Sequence, residues 1–161
     1  MSQILWEVLT FAYSQNSKHP TLEGVELSVD SGSFTVLTGP SGCGKSTLLY
    51  LAAGLYPANG GVVLSGRVTV DGREPGSIPP EERAPLLGMI FQNPDLQFCM
   101  DTVEHELVFC MENIALPVEE MEARMAQALV FCGISHLRRR RLITLSGGEK
   151  QRAMLACVMV L

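Results

Sequence analysis

The sequence lacks the features that identify several common classes of protein. Its 161 residues include five cysteines, an odd number without any C-x-x-C pair, which argues against a zinc ribbon and a disulfide framework. The three histidines lie far apart, so we expect no metal site that the protein builds alone. Although 47% of the residues are hydrophobic, no run approaches the ~18 to 20 apolar residues of a membrane-spanning helix.

The sequence also lacks an excess of positive charge. Its net charge is -5, whereas a general nucleic-acid-binding protein usually carries a basic footprint, so we expect no nucleic-acid partner. The exception is a run of four arginines at 138–141. We interpret this run first as a solvated connector and alternatively as a contact for an acidic partner surface or anionic lipid headgroups. No basic segment followed by an apolar run opens the chain, so we expect a cytosolic protein that starts at Met1.

Residues 39–46 form a glycine-rich loop that fits the pattern G-x-x-x-x-G-K-[ST]. Its glycines let backbone N–H groups converge on phosphate oxygens, and a following helix presents its positive end to the anion. Lys45 should contact the β- and γ-phosphates of a nucleotide, Ser46 should offer its hydroxyl to Mg²⁺, and Thr47 should add a phosphate contact. The predicted nucleotide-binding residues of this loop are Gly39, Pro40, Ser41, Gly42, Cys43, Gly44, Lys45, Ser46 and Thr47.

The order of strand and helix patterns fits this loop. Alternating apolar residues predict antiparallel strands at 4–13 and 22–29, and apolar segments predict further strands at 34–38, 62–70 and 86–91. The segment at 34–38 runs into the loop, and residues 46–56 have helix composition, which is the context that a P-loop requires.

Helical periodicity begins near residue 101. Asp101 followed by Glu104 predicts a capping box for a helix to about residue 114. Pro117 suits the first turn of a second helix, which we expect to end near residue 132. We therefore predict an α/β core with an N-terminal β-subdomain in residues 1–96 and a helical subdomain in residues 97–145.

A second helix start of unusual composition follows at residues 145–152, Leu-Ser-Gly-Gly-Glu-Lys-Gln-Arg. Ser146 is expected as the N-cap with Glu149 at the third helical position, which makes a capping box. Gly147 and Gly148 would then begin a helix whose N–H groups can hold an anion. The chain has one P-loop, so this second terminus suggests a phosphate supplied from elsewhere.

Together the two motifs resemble those of the nucleotide-binding subunit of ATP-binding-cassette (ABC) transporters. The resemblance implies a P-loop NTPase fold, ATP and Mg²⁺ as cofactors, and a segment at 146–161 that carries the ABC signature and returns to the core. It implies head-to-tail pairing with a second ABC ATPase subunit, the same or a different chain. In such pairs each signature closes over the nucleotide of the partner; the signature residues here are Ser146, Gly147, Gly148, Glu149 and Gln151. It also implies an integral membrane transporter subunit as partner and a peripheral position on the cytoplasmic face of the membrane.

Two further residues match the pattern of this family. Gln92, after the apolar segment at 86–91, looks like the glutamine that in the family meets Mg²⁺ and the attacking water, so it is a catalytic and metal-binding candidate. Tyr13 sits where the family has an aromatic that stacks on adenine, although a core aromatic at a strand end is the alternative. Residues 91–98 and 102–104 are similar in particular to energy-coupling-factor ATPases, which drive uptake of cobalt, nickel or vitamins.

The sequence departs from the family pattern after the signature. No hydrophobic strand ending in Asp-Glu follows it, nor does a switch histidine, so we expect a chain that stops before the Walker B strand and has no turnover alone. A soluble ABC ATPase without a transporter and a non-catalytic ATP-binding module remain alternatives. If the chain itself hydrolyses ATP, the carboxylate must be sought among Glu81, Glu82, Asp95 and Asp101.

Overall fold

The computed structural model describes residues 3–161, and the chain forms two compact units, one ending at Leu86 and one spanning Leu87–Leu161. The boundary near residue 97 that the sequence suggested for the helical subdomain stays a prediction. Within the described residues, no helix combines the length and the apolar character that crossing a membrane requires.

The first unit is built on a three-stranded antiparallel sheet in the order β2-β1-β3. The strands are β1 (Ile4–Ala12), β2 (Leu22–Val29) and β3 (Val62–Val70), and a helix, α1 (Lys45–Ala52), belongs to the same unit. Trp6, Leu9 and Phe11 of β1 are buried together with Leu48 and Leu51 of α1. The antiparallel strands predicted from alternation are therefore confirmed, and α1 is shorter than the predicted helix.

A bulge interrupts the pairing of β1 with β3. The register shifts between Glu7 and Thr10, and Val8 within this interval has a positive φ of 48°. Gly66 of β3 has φ +73°, and a Cβ placed there would lie 2.2 Å from the Glu7 carbonyl oxygen and 2.4 Å from that of Val8. The bulge brings the two main chains so close that only glycine fits.

Two predicted strands are wrong. Residues 34–38 and 86–91 carry no strand assignment, and Phe34, Val36 and Leu37 are exposed, Phe34 by 95%. Apolar composition predicts what a segment prefers, but a strand forms only where a neighbour completes its hydrogen-bond ladder. Among the described residues neither segment has such a neighbour.

Short helical turns fill the connections of both units. They are a 3-10 turn at Pro75–Ser77 and α2 (Pro80–Arg83) in the first unit, and 3-10 turns at Pro94–Leu96, Ser135–Leu137 and Leu142–Thr144 in the second.

The second unit packs three helices, α3 (Val103–Asn113), α4 (Val118–Phe131) and α5 (Gly147–Met159). Their shared core includes Leu107, Met111, Met125 and Ala156. The N-cap of α3 is Thr102, whose hydroxyl accepts from the His105 N–H, so the predicted cap at Asp101 is wrong by one residue. Pro117 precedes α4 as its N-cap residue.

Cys99, Cys110 and Cys132 each follow a phenylalanine in apolar surroundings, a sequence context that predicts packing in the core. Cys132 is buried, Cys110 is half-buried, and Cys99 is exposed. The expectation for Cys99 is therefore wrong, since this residue lies in an irregular segment before α3 rather than on a helix face.

The arginine run is tied to α3 and α4 through its first member. The Arg138 guanidinium bonds to Glu104 of α3 at 2.6 Å and to Glu122 of α4 at 2.6 Å, and these carboxylates raise the pKa of Arg138. The carbonyls of Arg138 and Arg140 also accept the backbone N–H groups of Glu104 and Val103. The run therefore serves as a connector that caps α3.

Replacing Gly66 with alanine is expected to destabilise the first unit more than replacing Gly72. Gly72 has almost the same φ, +74°, but a Cβ there meets nothing within 4 Å. Both variants should lose about 1–2 kcal/mol to left-handed strain, and only the Gly66 variant should lose roughly another 1–3 kcal/mol to the clash. Thermal unfolding measures the difference, and equal losses would contradict the close approach at the bulge.

Candidate functional site

The glycine-rich loop of the first unit adopts a conformation that only glycine accepts at several positions. Gly42 and Gly44 have φ of +81° and +94°. A Cβ at Gly44 would lie 2.6 Å from the Leu22 Cδ2 atom and 3.2 Å from the Thr21 carbonyl oxygen. The loop therefore packs against β2 through its own backbone at Gly44, where a side chain would disturb the packing.

The helix that follows the loop has no cap of its own. Its N-cap residue is Gly44, no side chain caps it, and its first turn has no acidic residue. The first N–H groups of an α-helix have no partner inside the helix and carry partial positive charge. The start of α1 can therefore bind an anion.

Lys45 keeps its ammonium group against the loop. Its Nζ atom donates to the carbonyl oxygens of Gly39 at 2.8 Å and Pro40 at 2.6 Å, and lies 3.6 Å from the Cys43 sulfur. The charge is thus held against the loop by the first residue of α1. An anion that binds the N–H groups of α1 would meet this cation as well.

Ser46 and Thr47 differ in where their hydroxyl groups lie. Ser46 is exposed, whereas Thr47 is buried and its Oγ1 lies 2.7 Å from the Tyr13 hydroxyl. The phosphate contact that the sequence suggested for Thr47 stays a prediction, since its hydroxyl bonds here to Tyr13.

Tyr13 combines an anchored hydroxyl with a half-exposed ring. Its ring packs edge-on against Phe11, with centroids 5.3 Å apart, and against Tyr56 at 5.6 Å, yet 52% of Tyr13 is exposed. This arrangement leaves part of the ring accessible beside the start of α1, which is the placement a base-stacking aromatic needs. The adenine contact of Tyr13 stays a prediction.

Gln92 lies in the second unit, in an exposed loop that is closed by another glutamine. The Gln97 side-chain amide accepts from the Phe91 N–H at 3.0 Å and donates to the Met89 carbonyl at 2.9 Å. The loop from Phe91 to Gln97 is therefore fixed at its base, and Gln92 is the residue of this loop that directly follows Phe91.

A buried carboxylate holds the segment that follows this loop. Glu106 of α3 is only 3% exposed and accepts the N–H groups of Cys99, at 3.0 Å, and Met100, at 2.7 Å. Sequence reasoning missed both Glu106 and Gln97. Glu106 did leave a signal, because it falls on the same helix face as Val103 and Leu107, where an apolar residue is expected.

The signature segment begins α5 as predicted. Ser146 accepts the Glu149 N–H, and the Glu149 carboxylate accepts the Ser146 N–H at 2.7 Å, so the capping box is confirmed. These bonds from Ser146 lower the pKa of Glu149. A Cβ at Gly147 or Gly148 would meet nothing within 4 Å, and Gln151 is exposed. Packing within the described chain therefore does not require either glycine.

The protein oxygen atoms around the loop would hold a metal ion only together with the oxygen atoms of a bound phosphate. No group of three or more His, Cys, Asp or Glu side chains in residues 3–161 could hold a metal. The exposed Ser46 hydroxyl has the hard oxygen that Mg²⁺ prefers, and Mg²⁺ commonly takes its remaining ligands from water and substrate phosphates.

These features define a P-loop nucleotide-binding domain with a second, signature-type helix start. The sequence pattern of the ABC transporter family matches residues 22–161, and the chain belongs to this family. The expected α/β fold, that of an ABC nucleotide-binding domain, is thereby confirmed.

Two similar proteins, one matched by sequence and one by structure, show which members of this family the chain resembles. The chain is 39% identical over 148 residues to the energy-coupling factor transporter ATP-binding protein EcfA1 of Streptococcus agalactiae serotype Ia, covering 92% of this chain and 51% of that protein. It superposes with a TM-score of 0.81 and 31% identity on cbiO1 from Clostridium perfringens, part of the ABC transporter complex cbiONQ, covering 98% of this chain and 61% of that one. The expected resemblance to energy-coupling-factor ATPases is thus confirmed, and the chain spans about half the length of the EcfA1 relative.

Ser146→Ala is expected to weaken the start of α5. The substitution removes the hydroxyl that accepts the Glu149 N–H, and losing such a cap costs about 0.5–2 kcal/mol. Hydrogen exchange at the amides of Glu149 and Lys150, which bond to Ser146, should therefore accelerate, while exchange within α4 stays as it was.

The stability of the first turn of α5 should depend on pH. Because the folded-state pKa of Glu149 lies below its usual 4.5, its bonds to Ser146 contribute fully above the unfolded pKa and are lost as pH falls through the folded pKa. Glu149→Gln should remove this dependence. Protection factors divide out the intrinsic pH dependence of amide exchange, so protection at residues 149 and 150 that does not change with pH in the unmodified chain would contradict the ionised capping box.

Proposed function

We propose that this chain is the ATP-binding part of a subunit that, in complete form, hydrolyses ATP to drive an ABC-type importer. The observation that carries the proposal is the start of α1, an uncapped helix terminus behind a glycine loop with Lys45 held across it. A polyphosphate is the ligand class that such a combination of N–H groups and one cation fits best.

The roles of the loop residues follow from their positions. The Lys45 ammonium exchanges the Gly39 and Pro40 carbonyls for the β- and γ-phosphate oxygens, which are stronger partners because they are charged. Ser46 supplies one oxygen ligand to Mg²⁺, and the ion neutralises phosphate charge when it is bound. We assign Gln92, which lies in the second unit, to the attacking water because it matches the glutamine of the family pattern.

The signature helix acts on a second subunit in this proposal. Ser146 and Glu149 satisfy each other and hold the first turn of α5 in place, while a Cβ at Gly147 or Gly148 would meet nothing within 4 Å in the described chain. Glycine at such positions suits the close approach of another molecule. We assign that molecule as ATP held by the P-loop of a second ABC ATPase subunit, identical or different.

The importer assignment rests on the named relatives. Both EcfA1, an energy-coupling factor transporter ATP-binding protein, and cbiO1, part of a transporter complex, are similar to this chain over more than nine-tenths of its length. From this similarity we infer that the chain has a membrane subunit as its partner and a peripheral position on the cytoplasmic face of the membrane.

We further propose that residues 1–161 alone have no turnover above background. Hydrolysis in this family needs carboxylates that align Mg²⁺ and the water, and no apolar strand ending in Asp-Glu follows the signature. Two of the four carboxylates that could act in their place are held in ion pairs, Glu82 with Arg73 at 3.0 Å and Asp95 with Lys150 at 2.5 Å. Glu81 and Asp101 are exposed.

Lys45→Ala is expected to weaken Mg-ATP binding at least tenfold. The substitution removes a charge-assisted contact worth about 1.5–3 kcal/mol while leaving the loop glycines in place. Calorimetric titration measures the affinity, with Lys18→Ala as the control because Lys18 is an exposed lysine outside the loop. Equal affinity of the Lys45 variant and the unmodified protein would overturn the assignment of the P-loop.

Tyr13→Ala is expected to weaken ATP but leave inorganic triphosphate almost unchanged. A stacked adenine gains about 0.5–1.5 kcal/mol beyond its buried area, and triphosphate has no base to stack. Tyr13→Phe is the matched variant, because it keeps the ring and removes only the hydroxyl bond to Thr47. If Tyr13→Ala weakens both ligands equally, the residue serves the core instead.

A further inference from the structure

An ion pair connects the loop that carries Gln92 to the signature helix. The Lys150 Nζ atom on α5 lies 2.5 Å from the Asp95 Oδ1 atom in the 3-10 turn Pro94–Leu96. Both residues belong to the second unit, and only 15% of the Lys150 side chain is exposed. A pair with one partner so well covered is screened less than an ordinary surface pair.

The Asp95 end of this pair is on a stiff turn. The Asn93 side chain accepts the Asp95 N–H at 3.1 Å, which caps the turn. The Gln97 amide closes the loop on the other side, and Glu106 fixes the segment beyond it to α3. The loop that carries Gln92 is therefore held within the second unit by hydrogen bonds at its turn and at its base.

The Lys150 end is equally well placed. Lys150 follows Glu149 of the capping box, and its own N–H donates to the Ser146 carbonyl at 2.9 Å. It thus belongs to the first turn of α5, the turn that presents Gly147 and Gly148. The ion pair therefore joins two elements of the second unit that are each held by hydrogen bonds of their own.

We propose that Asp95 and Lys150 are positioning residues that couple the Gln92 loop to the signature turn within one subunit. The coupling rests on the function proposed above, in which Gln92 serves the subunit's own ATP and the signature serves that of the partner. Through the pair, a shift of the signature turn on a partner's nucleotide moves the loop that orders the attacking water. The pair accordingly acts on the rate of hydrolysis and not on the affinity of the P-loop for ATP.

The test uses Lys150→Met, Asp95→Ala and the charge swap Asp95→Lys with Lys150→Asp, which keeps the summed length of the two side chains. In a form of the protein that hydrolyses ATP, each single variant should lower kcat at least tenfold and change the KM for ATP less than twofold. The swap should recover at least half of the unmodified kcat. Arg67→Met, which breaks the exposed Glu7–Arg67 pair at 2.6 Å in the first unit, is the control and should keep kcat within twofold.

Two outcomes in the kinetics would overturn the proposal. Unchanged kcat in the single variants would show an ordinary surface pair, and a swap without recovery would show that Asp95 has a chemical role that lysine cannot supply. A parallel fall in kcat and in thermal stability without recovery would show a merely structural pair.

Hydrogen exchange keeps the proposal testable if the protein proves not to hydrolyse ATP. Lys150→Met should accelerate exchange of the amides at 95–97 at least threefold, although the substitution is on another element, and the swap should reverse this. Unaltered exchange at 95–97 would overturn the coupling whatever the activity. If the unmodified protein does not bind ATP, the proposed function is overturned, and the exchange result alone then decides the coupling.

Discussion

Every α-helix starts with backbone N–H groups that the helix itself cannot satisfy, and this constraint organises both units of the protein. α3 meets it with the Thr102 hydroxyl and with carbonyls of the arginine connector. α5 meets it with the capping box between Ser146 and Glu149. α1 alone among these three begins behind a glycine with no capping side chain and no acid in its first turn. Its N–H groups are the ones that a phosphate can take, and Lys45 stands beside them.

The second unit depends on bonds between residues that are distant in the sequence. Arg138 joins α3 to α4 through two carboxylates, and Glu106 fixes the segment before α3. Lys150 extends the same network from α5 to the loop of Gln92. Each of these charged groups is paired, so the unit keeps polar side chains near its core without leaving them unsatisfied. The loop and the signature turn consequently have defined positions on a helical scaffold.

The parts that could be predicted from the sequence are those that short-range chemistry decides. Alternation predicted β1 and β2, an apolar segment predicted β3, glycine spacing predicted the P-loop, and the Ser-x-x-Glu spacing predicted the cap of α5. Apolar composition wrongly predicted strands at 34–38 and 86–91, because a strand depends on a neighbour that a local pattern does not reveal. Glu106 escaped prediction for the same reason, since its partners are main-chain N–H groups of an irregular segment.

The most direct test of the account is to locate bound nucleotide by amide NMR. On addition of Mg-ATP, the account predicts that the largest shifts fall on the amides of residues 42–47, where the loop meets α1. The amides at 146–149 should shift only under conditions in which subunits associate, because the signature serves a partner's nucleotide. Saturable ATP binding that leaves residues 42–47 unshifted would contradict the claim that the start of α1 holds the phosphates.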